Sequence, residues 1–169
     1  MMVSPIVLSV VAPYSGYLSD KTGSEVLTLI GLALTGLGLL LISSLNETSS
    51  FFLIIAFIAV MSAGNGMFQS PNNSLVMSTV TKDKLGIAGS VNALIRNLGM
   101  VIGTSLATML LYNKMSEKAG YRVTDYVKGR DDIFIYGMNF VYISAAVLCI
   151  IGVLITAVRY YSSRKSKTL

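Results

Sequence analysis

The chain has 169 residues, of which 53% are hydrophobic and 12% are charged, and it contains neither His nor Trp. A water-soluble domain normally carries about a quarter charged residues. This low share, together with charges that cluster between long apolar runs, excludes an ordinary water-soluble domain and indicates a membrane protein with several spans. The net charge of +5 does not indicate a nucleic-acid partner, because the basic residues lie at the ends of the apolar runs, where they orient a chain in the membrane.

Five apolar runs predict five membrane spans, because each span needs about 20 residues to cross the hydrocarbon core. The predicted spans are residues 1–17, 26–45, 51–80, 87–112 and 134–158. The first run is short and broken by Pro5 and Pro13, and it has neither the basic start nor the cleavage site of a signal peptide, so we interpret it as a span. We therefore predict an all-α membrane protein with about five transmembrane helices.

Lys and Arg residues predict how the chain is oriented. Lys82, Lys84 and the basic tail 159–169 fall on the same side as the turn between the first two spans. The opposite side holds the hydrophilic stretch 113–132, which mixes acids and bases, so the bias is modest. We predict a cytoplasmic C-terminus. With five spans the N-terminus then lies outside, and the sequence contains no segment that would export it. This combination indicates that the chain is part of a larger membrane protein.

A short polar turn, Gly16-Tyr17-Leu18-Ser19-Asp20-Lys21-Thr22-Gly23, separates the first two apolar runs. Glycine at either end allows a sharp change of direction, and Asp20 beside Lys21 places opposite charges at the turn. An acid at this place is favoured near the N-terminus of a neighbouring helix. An ordinary charged turn between two spans accounts for the pattern equally well.

Polar side chains recur along the third span at steps of three, four, three and one residues. They are Ser62, Asn65, Gln69, Asn72 and Asn73. This spacing predicts one helical face, which is expensive to expose to lipid. The face either lines a substrate path or provides hydrogen bonds between helices, and the sequence leaves both open. Pro71, with the nearby glycines, predicts a bent or loosened helix.

Arg96 is the one charged residue well inside a predicted span, and Asn92 precedes it by one turn. Its long side chain either extends back to the headgroups or faces a cavity, where it binds anionic groups or exchanges partners during transport. On the same helix Gly99, Gly103 and Ala107 recur every four residues, a spacing typical of close helix packing.

Several kinds of chemistry have no residues to support them. Every Asp and Glu lies in a predicted loop or at the edge of a span, so the spans hold no ordinary carrier of a proton. The sequence has no phosphate-binding glycine loop, no nucleophile–base pair and no cluster of metal ligands, and its single Cys, Cys149, lies in an apolar run. We predict no enzyme activity, no cofactor and no metal.

The pattern Gly-x-Leu-x-Asp-Lys-x-Gly at residues 16–23 resembles a cytoplasmic loop signature of the major facilitator superfamily of transporters. It departs at Glu25, where that family usually has a basic residue. The resemblance implies that Gly16, Asp20, Lys21 and Gly23 form a loop that latches one of the alternating-access states.

The third and fourth spans are similar to the late helices of fourteen-helix drug:proton antiporters. The similar segments are residues 64–74, residues 85–89, Asn92, residues 96–99 and residues 102–103. This resemblance implies helices ten to fourteen of a bacterial cytoplasmic-membrane exporter, in the C-terminal half of the fold. It implies three partners: membrane lipid, a drug-like or amphiphilic substrate, and coupling protons. It also implies that the carboxylates that couple transport to protons lie in helices that this chain lacks. The implied translocation-path residues are Asn65, Gln69, Asn72, Asn73, Asn92 and Arg96.

On this interpretation the chain is a C-terminal portion that does not transport alone, because alternating access needs two halves around a central site. Two alternatives remain at the level of sequence. One is a split transporter, in which a separate N-terminal chain supplies the missing helices. The other is a small membrane interaction protein, or a pseudogene product, without transport activity.

Overall fold

The computed structural model describes residues 2–46 and 48–166, and within them all side chains except those of Asp20, Thr22, Arg159 and residues 161–166. These residues form five α-helices, joined by short connections and one 3-10 turn at Lys82–Lys84, and contain no strand. The helices are α1 (Val3–Thr22), α2 (Ser24–Ser43), α3 (Phe51–Ser78), α4 (Leu85–Ala119) and α5 (Asp131–Ser166). The predicted all-α architecture is confirmed.

The four helices from α2 to α5 are long and apolar enough to cross a membrane, whereas the apolar part of α1, Val3–Ser19, is shorter. Two helices also extend beyond the predicted spans. The 35 residues of α4 continue to Ala119 and give a helix about 52 Å long, well beyond a hydrocarbon core of about 30 Å. The predicted basic tail begins inside α5, and residues 167–169 lie outside the described residues.

The predicted turn over residues 16–23 is mostly helical. α1 continues to Thr22, and only Gly23 leaves the helix. Its φ is 91°, a backbone conformation that residues other than glycine rarely adopt. The Gly23 N–H donates to the carbonyl of Ser19 at 2.9 Å, and the Ser19 and Ser24 hydroxyls bond across the turn at 2.7 Å. A single glycine is therefore enough to separate two helices that the sequence predicted to be joined by a longer loop.

α2 lies at the centre of the bundle, between α3 and α5, while α1 packs on α3 and α4 lies along α5. One cleft is lined by Glu25 near the start of α2, Leu75 near the end of α3 and Tyr160 near the end of α5. These three helix termini consequently lie at the same end of the bundle. The sequence likewise predicted that the turn at residues 16–23, Lys82 with Lys84, and the tail 159–169 lie on one side of the membrane.

Glycines allow the backbones of α2 and α3 to approach closely. A Cβ added at Gly31 would lie 2.5 Å from the backbone nitrogen of Phe68, and one added at Gly64 would lie 2.4 Å from that of Thr35. At Gly38 the nearest atom would be the Cα of Met61 at 2.6 Å. Packing of small residues drives helix association in membranes, and here it fixes α3 against the central helix.

The hydrophilic stretch between α4 and α5 folds into a compact cap, residues 113–134. Met115, Val123 and Ile133 are buried and form its core. The Ser116 hydroxyl donates to the Tyr112 carbonyl at 2.7 Å and accepts from the Val123 N–H at 2.9 Å, so one side chain ties the loop to the helix. Sequence analysis recognised only the mixed charge of this stretch and missed the small apolar core.

Candidate functional site

An amide pair joins α3 and α4. The Asn92 Nδ2 donates to the Oδ1 of Asn73 at 3.0 Å, and both residues are half-buried. Among the described residues this is the only side-chain hydrogen bond between these two helices. The pair combines two residues that the sequence placed on the translocation path, and it holds them in an interhelical contact of the kind expected for polar side chains within a membrane.

The polar side chains of α3 meet several different neighbours. The buried Ser62 donates to the Ser4 hydroxyl of α1 at 2.8 Å, whereas Asn73 meets α4 and Asn72 lines the cleft between α2 and α5. Consecutive residues on a helix point about 100° apart, so Asn72 and Asn73 necessarily face different neighbours. Asn65 is exposed and Gln69 is half-buried.

The predicted packing seam of α4 has no neighbour within the described part of the chain. A Cβ added at Gly99 or Gly103 would meet nothing within 4 Å, and Ala107 is half-buried. The close approach of α4 lies further along, where a Cβ at Gly137 of α5 would fall 2.8 Å from the side chain of Leu111. Packing at Gly99, Gly103 and Ala107 therefore stays a prediction, which needs a helix beyond the described residues, while α5 covers the far end of α4.

Arg96 lies on the same uncovered part of α4. Its side chain is exposed and forms no ion pair with any described residue. Large apolar neighbours are exposed as well, with Ile95 at 63% and Ile102 at 58% of their accessible surface. We define the open face of α4 as Ile95, Arg96, Gly99, Ile102 and Gly103. It combines a charge, two small residues and apolar side chains.

The residues of the predicted latch occupy different surroundings. Gly16 packs against α3, where an added Cβ would lie 3.2 Å from the Ser70 Oγ, whereas Gly23 faces open space. The ammonium of Lys21 lies over the Tyr17 ring, 4.7 Å from its centroid. The side chain of Asp20 lies outside the described residues. Among the described latch residues, Gly16, Lys21 and Gly23 therefore lie in separate surroundings.

Sequence analysis missed a cleft of about 310 Å³ between α2, α3 and α5, which we call the seam cleft. Its polar lining comes from Glu25 and Thr28 of α2, Asn72 of α3, and Thr156 and Tyr160 of α5. The signal was present in the spacing: residues 25 and 28, and residues 156 and 160, are helical neighbours on one face. The spacing alone does not predict a cleft, because the two pairs lie on helices that are far apart in the sequence and meet only in the folded bundle.

The charges of the cap are largely paired with one another. Lys114 lies 2.6 Å from Glu117, and Arg130 lies 3.0 Å from Asp132, whose hydrogen bond raises the pKa of that guanidinium. Next to them a recess of about 820 Å³ opens to the surface. No group of three or more His, Cys, Asp or Glu side chains suited to a metal ion occurs among the described residues.

This structure defines a multi-pass helical membrane protein. Polar side chains join its helices, as in the Asn73–Asn92 pair, and the open face of α4 is uncovered. The sequence model described as Major Facilitator Superfamily matches residues 1–168. The chain belongs to that superfamily.

Three curated relatives illustrate the range of this similarity. The riboflavin transporter RibZ of Clostridioides difficile is 29% identical over 92% of this chain and 33% of its own length. The uncharacterized MFS-type transporter YcnB of Bacillus subtilis is 26% identical over 92% of this chain and 32% of its own. The multidrug resistance protein Stp of Mycobacterium tuberculosis is 26% identical over 66% of this chain and 21% of its own. The chain thus spans about a third or less of the length of these relatives.

Proposed function

We propose that this chain is the C-terminal portion of a fourteen-helix drug:proton antiporter. The complete transporter exports drugs or other amphiphilic molecules across the bacterial cytoplasmic membrane in exchange for protons, and its C-terminus is cytoplasmic. The observation that carries the proposal is the open face of α4. An Arg within the membrane is costly unless protein or water surrounds it, so a face that exposes Arg96 needs a partner beyond the described helices.

In this proposal the open face of α4 meets the other half of the transporter across the substrate path. Arg96 interacts with anionic groups there, and the adjacent Asn73–Asn92 pair keeps α3 and α4 in register. Asn65, which is exposed, and Gln69 contribute amides to the same path. Asn72 lines the seam cleft instead, so we assign it to that cleft.

We further propose that Gly16, Asp20, Lys21 and Gly23 serve the conformational latch implied by their pattern. Gly16 contributes a close contact with α3, and Gly23 contributes the turn. The carboxylate of Asp20 acts on a neighbouring helix terminus, where negative charge is favoured. This role requires the preceding helices, because a latch acts between parts of the transporter that move.

A split transporter is the second candidate, and the same open face supports it. Gly99 and Gly103 leave room for another helix, since no described residue lies within 4 Å of a Cβ added at either position. This face could be covered by preceding helices on a separate chain, or equally by preceding helices in the same chain. The two candidates differ in how the helices are supplied and agree on what the assembled protein does.

The test is efflux of a fluorescent cationic dye from energised cells. We expect cells that express this chain alone to lose dye at the vector-only rate. Co-expression with the preceding helices of a family member is expected to give efflux that a protonophore abolishes. In that assembly Arg96→Ala is expected to lower the efflux rate at least tenfold, whereas Arg122→Ala, a matched change in the cap, leaves it unchanged.

The proposal fails if this chain alone drives protonophore-sensitive efflux that Asp20→Asn abolishes, because five helices would then suffice. It fails as well if the assembled protein moves dye regardless of the proton gradient. Expression of each variant in the membrane fraction is measured in parallel, so that loss of protein is not mistaken for loss of transport.

A further inference from the structure

Arg96 lies well along α4, on the open face of that helix. The backbone of α4 rises about 16 Å between Leu85 and Arg96, roughly half of a hydrocarbon core of about 30 Å. Every residue from 94 to 106 is exposed, so no described helix covers this part of α4. A charge at such a depth needs an oppositely charged partner or water.

The described acids of this chain lie away from Arg96. Glu25 lines the seam cleft between α2, α3 and α5. Asp83 lies in the 3-10 turn that precedes α4, about three helical turns before Arg96. The remaining described acids belong to the cap, where the ion pairs of the described residues also lie. These cap acids are Glu117, Asp125, Asp131 and Asp132.

Two further acids, Asp20 and Glu47, have side chains outside the described residues, and their described neighbours are remote from Arg96. Asp20 belongs to the last turn of α1, and α1 makes no contact with α4 among the described residues. Glu47 follows Asn46, which lines a recess together with Lys118 of the cap. Lys118 lies beyond Arg96 on α4 by a rise of about 33 Å. The partner of Arg96 therefore has to come from outside this chain.

A second copy of this chain is a poor partner for the open face. Two copies insert with the same orientation, because the same Lys and Arg residues orient both. Two open faces in contact would then place one Arg96 beside the other, and like charges repel strongly where water is scarce. The charge on this face therefore selects a helix of opposite charge.

The small residues of the open face provide room for such a helix. Gly99 and Gly103 follow Arg96 at steps of three and seven residues, which places all three on one side of α4. No described residue lies within 4 Å of a Cβ added at either glycine. A helix backbone packed there brings a side chain as short as that of Asp or Glu within reach of the guanidinium, which can bind a carboxylate through two parallel hydrogen bonds.

We propose that the open face of α4 packs against a transmembrane helix that carries an Asp or Glu at the depth of Arg96, and that the two side chains form an ion pair. The inference rests on the proposed function for the existence of preceding helices, and it names their chemistry at this contact. A carboxylate on a helix stays beside Arg96, whereas the anionic group of a substrate leaves that charge uncompensated after release.

The test is co-purification of the tagged 169-residue chain with the co-expressed preceding helices of a family member. We expect Arg96→Met to lower the co-purified fraction at least tenfold, because it leaves the partner carboxylate unpaired within the membrane. Arg96→Lys is expected to retain part of that fraction, since it keeps the charge but loses the paired hydrogen bonds. Arg122→Met, a matched change of an exposed Arg in the cap, leaves the fraction unchanged.

A second set of variants identifies the carboxylate. Each Asp and Glu within the spans of the co-expressed helices is changed in turn to Asn or Gln. We expect one of these changes to reproduce the loss, and the addition of Arg96→Met to cause no further loss. Exchange of the two charges, with Arg96→Glu and that acid changed to Arg, is expected to restore co-purification, which a variant that failed to fold would not do.

Unchanged co-purification of Arg96→Met, or the absence of any acid whose effect depends on Arg96, would overturn the proposal. A dimer of the 169-residue chain alone that Gly103→Leu disrupts would overturn it as well, because a second copy would then cover the open face.

Dye efflux separates this inference from the proposed function. If Arg96→Met abolishes efflux and no acid is coupled to Arg96, the ion pair is wrong and the transporter assignment stands. If exchange of the charges restores co-purification but the assembled protein exports no dye, the ion pair stands and the transporter assignment fails.

Discussion

Asn73 and Asn92 offer a direct measure of how strongly polar side chains join these helices. Removal of either amide leaves the other half-buried and without its partner, so each Ala variant is expected to destabilise the chain. The double-mutant cycle of Asn73→Ala and Asn92→Ala is expected to give a coupling energy of about 0.5–1.5 kcal/mol, the range found for hydrogen bonds between membrane helices. The measurement is reversible unfolding in mixed detergent.

Asn65→Ala is the matched control, because this amide lies on the same helix and is exposed. It is expected to change the free energy of unfolding by less than about 0.5 kcal/mol. A coupling energy near zero between Asn73 and Asn92 would contradict the structure, since it would mean that the two amides act independently.

For single residues, the sequence predicted which polar side chains lie within the membrane spans, but not which neighbour each of them meets. The spacing of Asn72 and Asn73 is compatible with a polar face, yet the two side chains point about 100° apart: Asn73 bonds to Asn92 of α4, whereas Asn72 lines the cleft between α2, α3 and α5. The identity of a neighbour depends on how α2, α4 and α5 pack around α3, and helical periodicity within one segment carries no information on that.

Close packing of α2 on α3 is the main contact between elements, and one methyl group is enough to test it. Gly31→Ala places a Cβ 2.5 Å from the backbone nitrogen of Phe68, which cannot move without moving α3. We expect a loss of about 1–3 kcal/mol in the free energy of unfolding, typical of overpacking. The measurement is the same unfolding titration in mixed detergent.

Gly99→Ala is the matched control on α4, where an added Cβ meets nothing within 4 Å. There the better helix propensity of Ala is expected to leave stability unchanged or raise it by up to about 1 kcal/mol. If both substitutions had the same effect, the close approach of α2 and α3 would not be what stabilises the bundle.

The glycines illustrate what periodicity predicts between elements. Gly99 and Gly103 fit the small-residue spacing, yet the close contacts occur at Gly31, Gly64 and Gly137. Spacing identifies a helix face that permits close approach, whereas the approach itself needs a second helix at that level. Within the described residues, another helix approaches α4 this closely near Leu111, opposite Gly137 of α5.

The cap closes one end of the molecule, and Ser116 is its central hydrogen-bonding group. Ser116→Ala removes both the bond to the Tyr112 carbonyl and the acceptor for the Val123 N–H. We expect the Val123 amide to exchange with deuterium at least tenfold faster, because its N–H loses the Ser116 hydroxyl as acceptor while the helices keep their hydrogen bonds. Amides within α2 serve as the internal control, and exchange unchanged at Val123 would show that the apolar core alone orders the cap.

Residues 94–106 of α4, which include the open face, are all exposed in the described chain, and this leads to a prediction about assembly. Gly103→Leu adds a side chain where the isolated chain has open space, so its stability and membrane insertion are expected to stay unchanged. In the proposed assembly another helix packs on the open face, so the same side chain would lie between two helices. It is therefore expected to reduce dye efflux to the vector-only rate and to prevent co-purification with the preceding helices.

Gly86→Leu is the matched control, because Gly86 also faces open space but lies in the first turn of α4, away from the open face. We expect it to retain both efflux and co-purification. If Gly103→Leu assembles and transports normally, the open face of α4 contacts lipid in the complete protein. Arg96 would then have to reach the headgroups instead of the substrate path. This comparison ties the role of the one intramembrane Arg to the surface on which it lies.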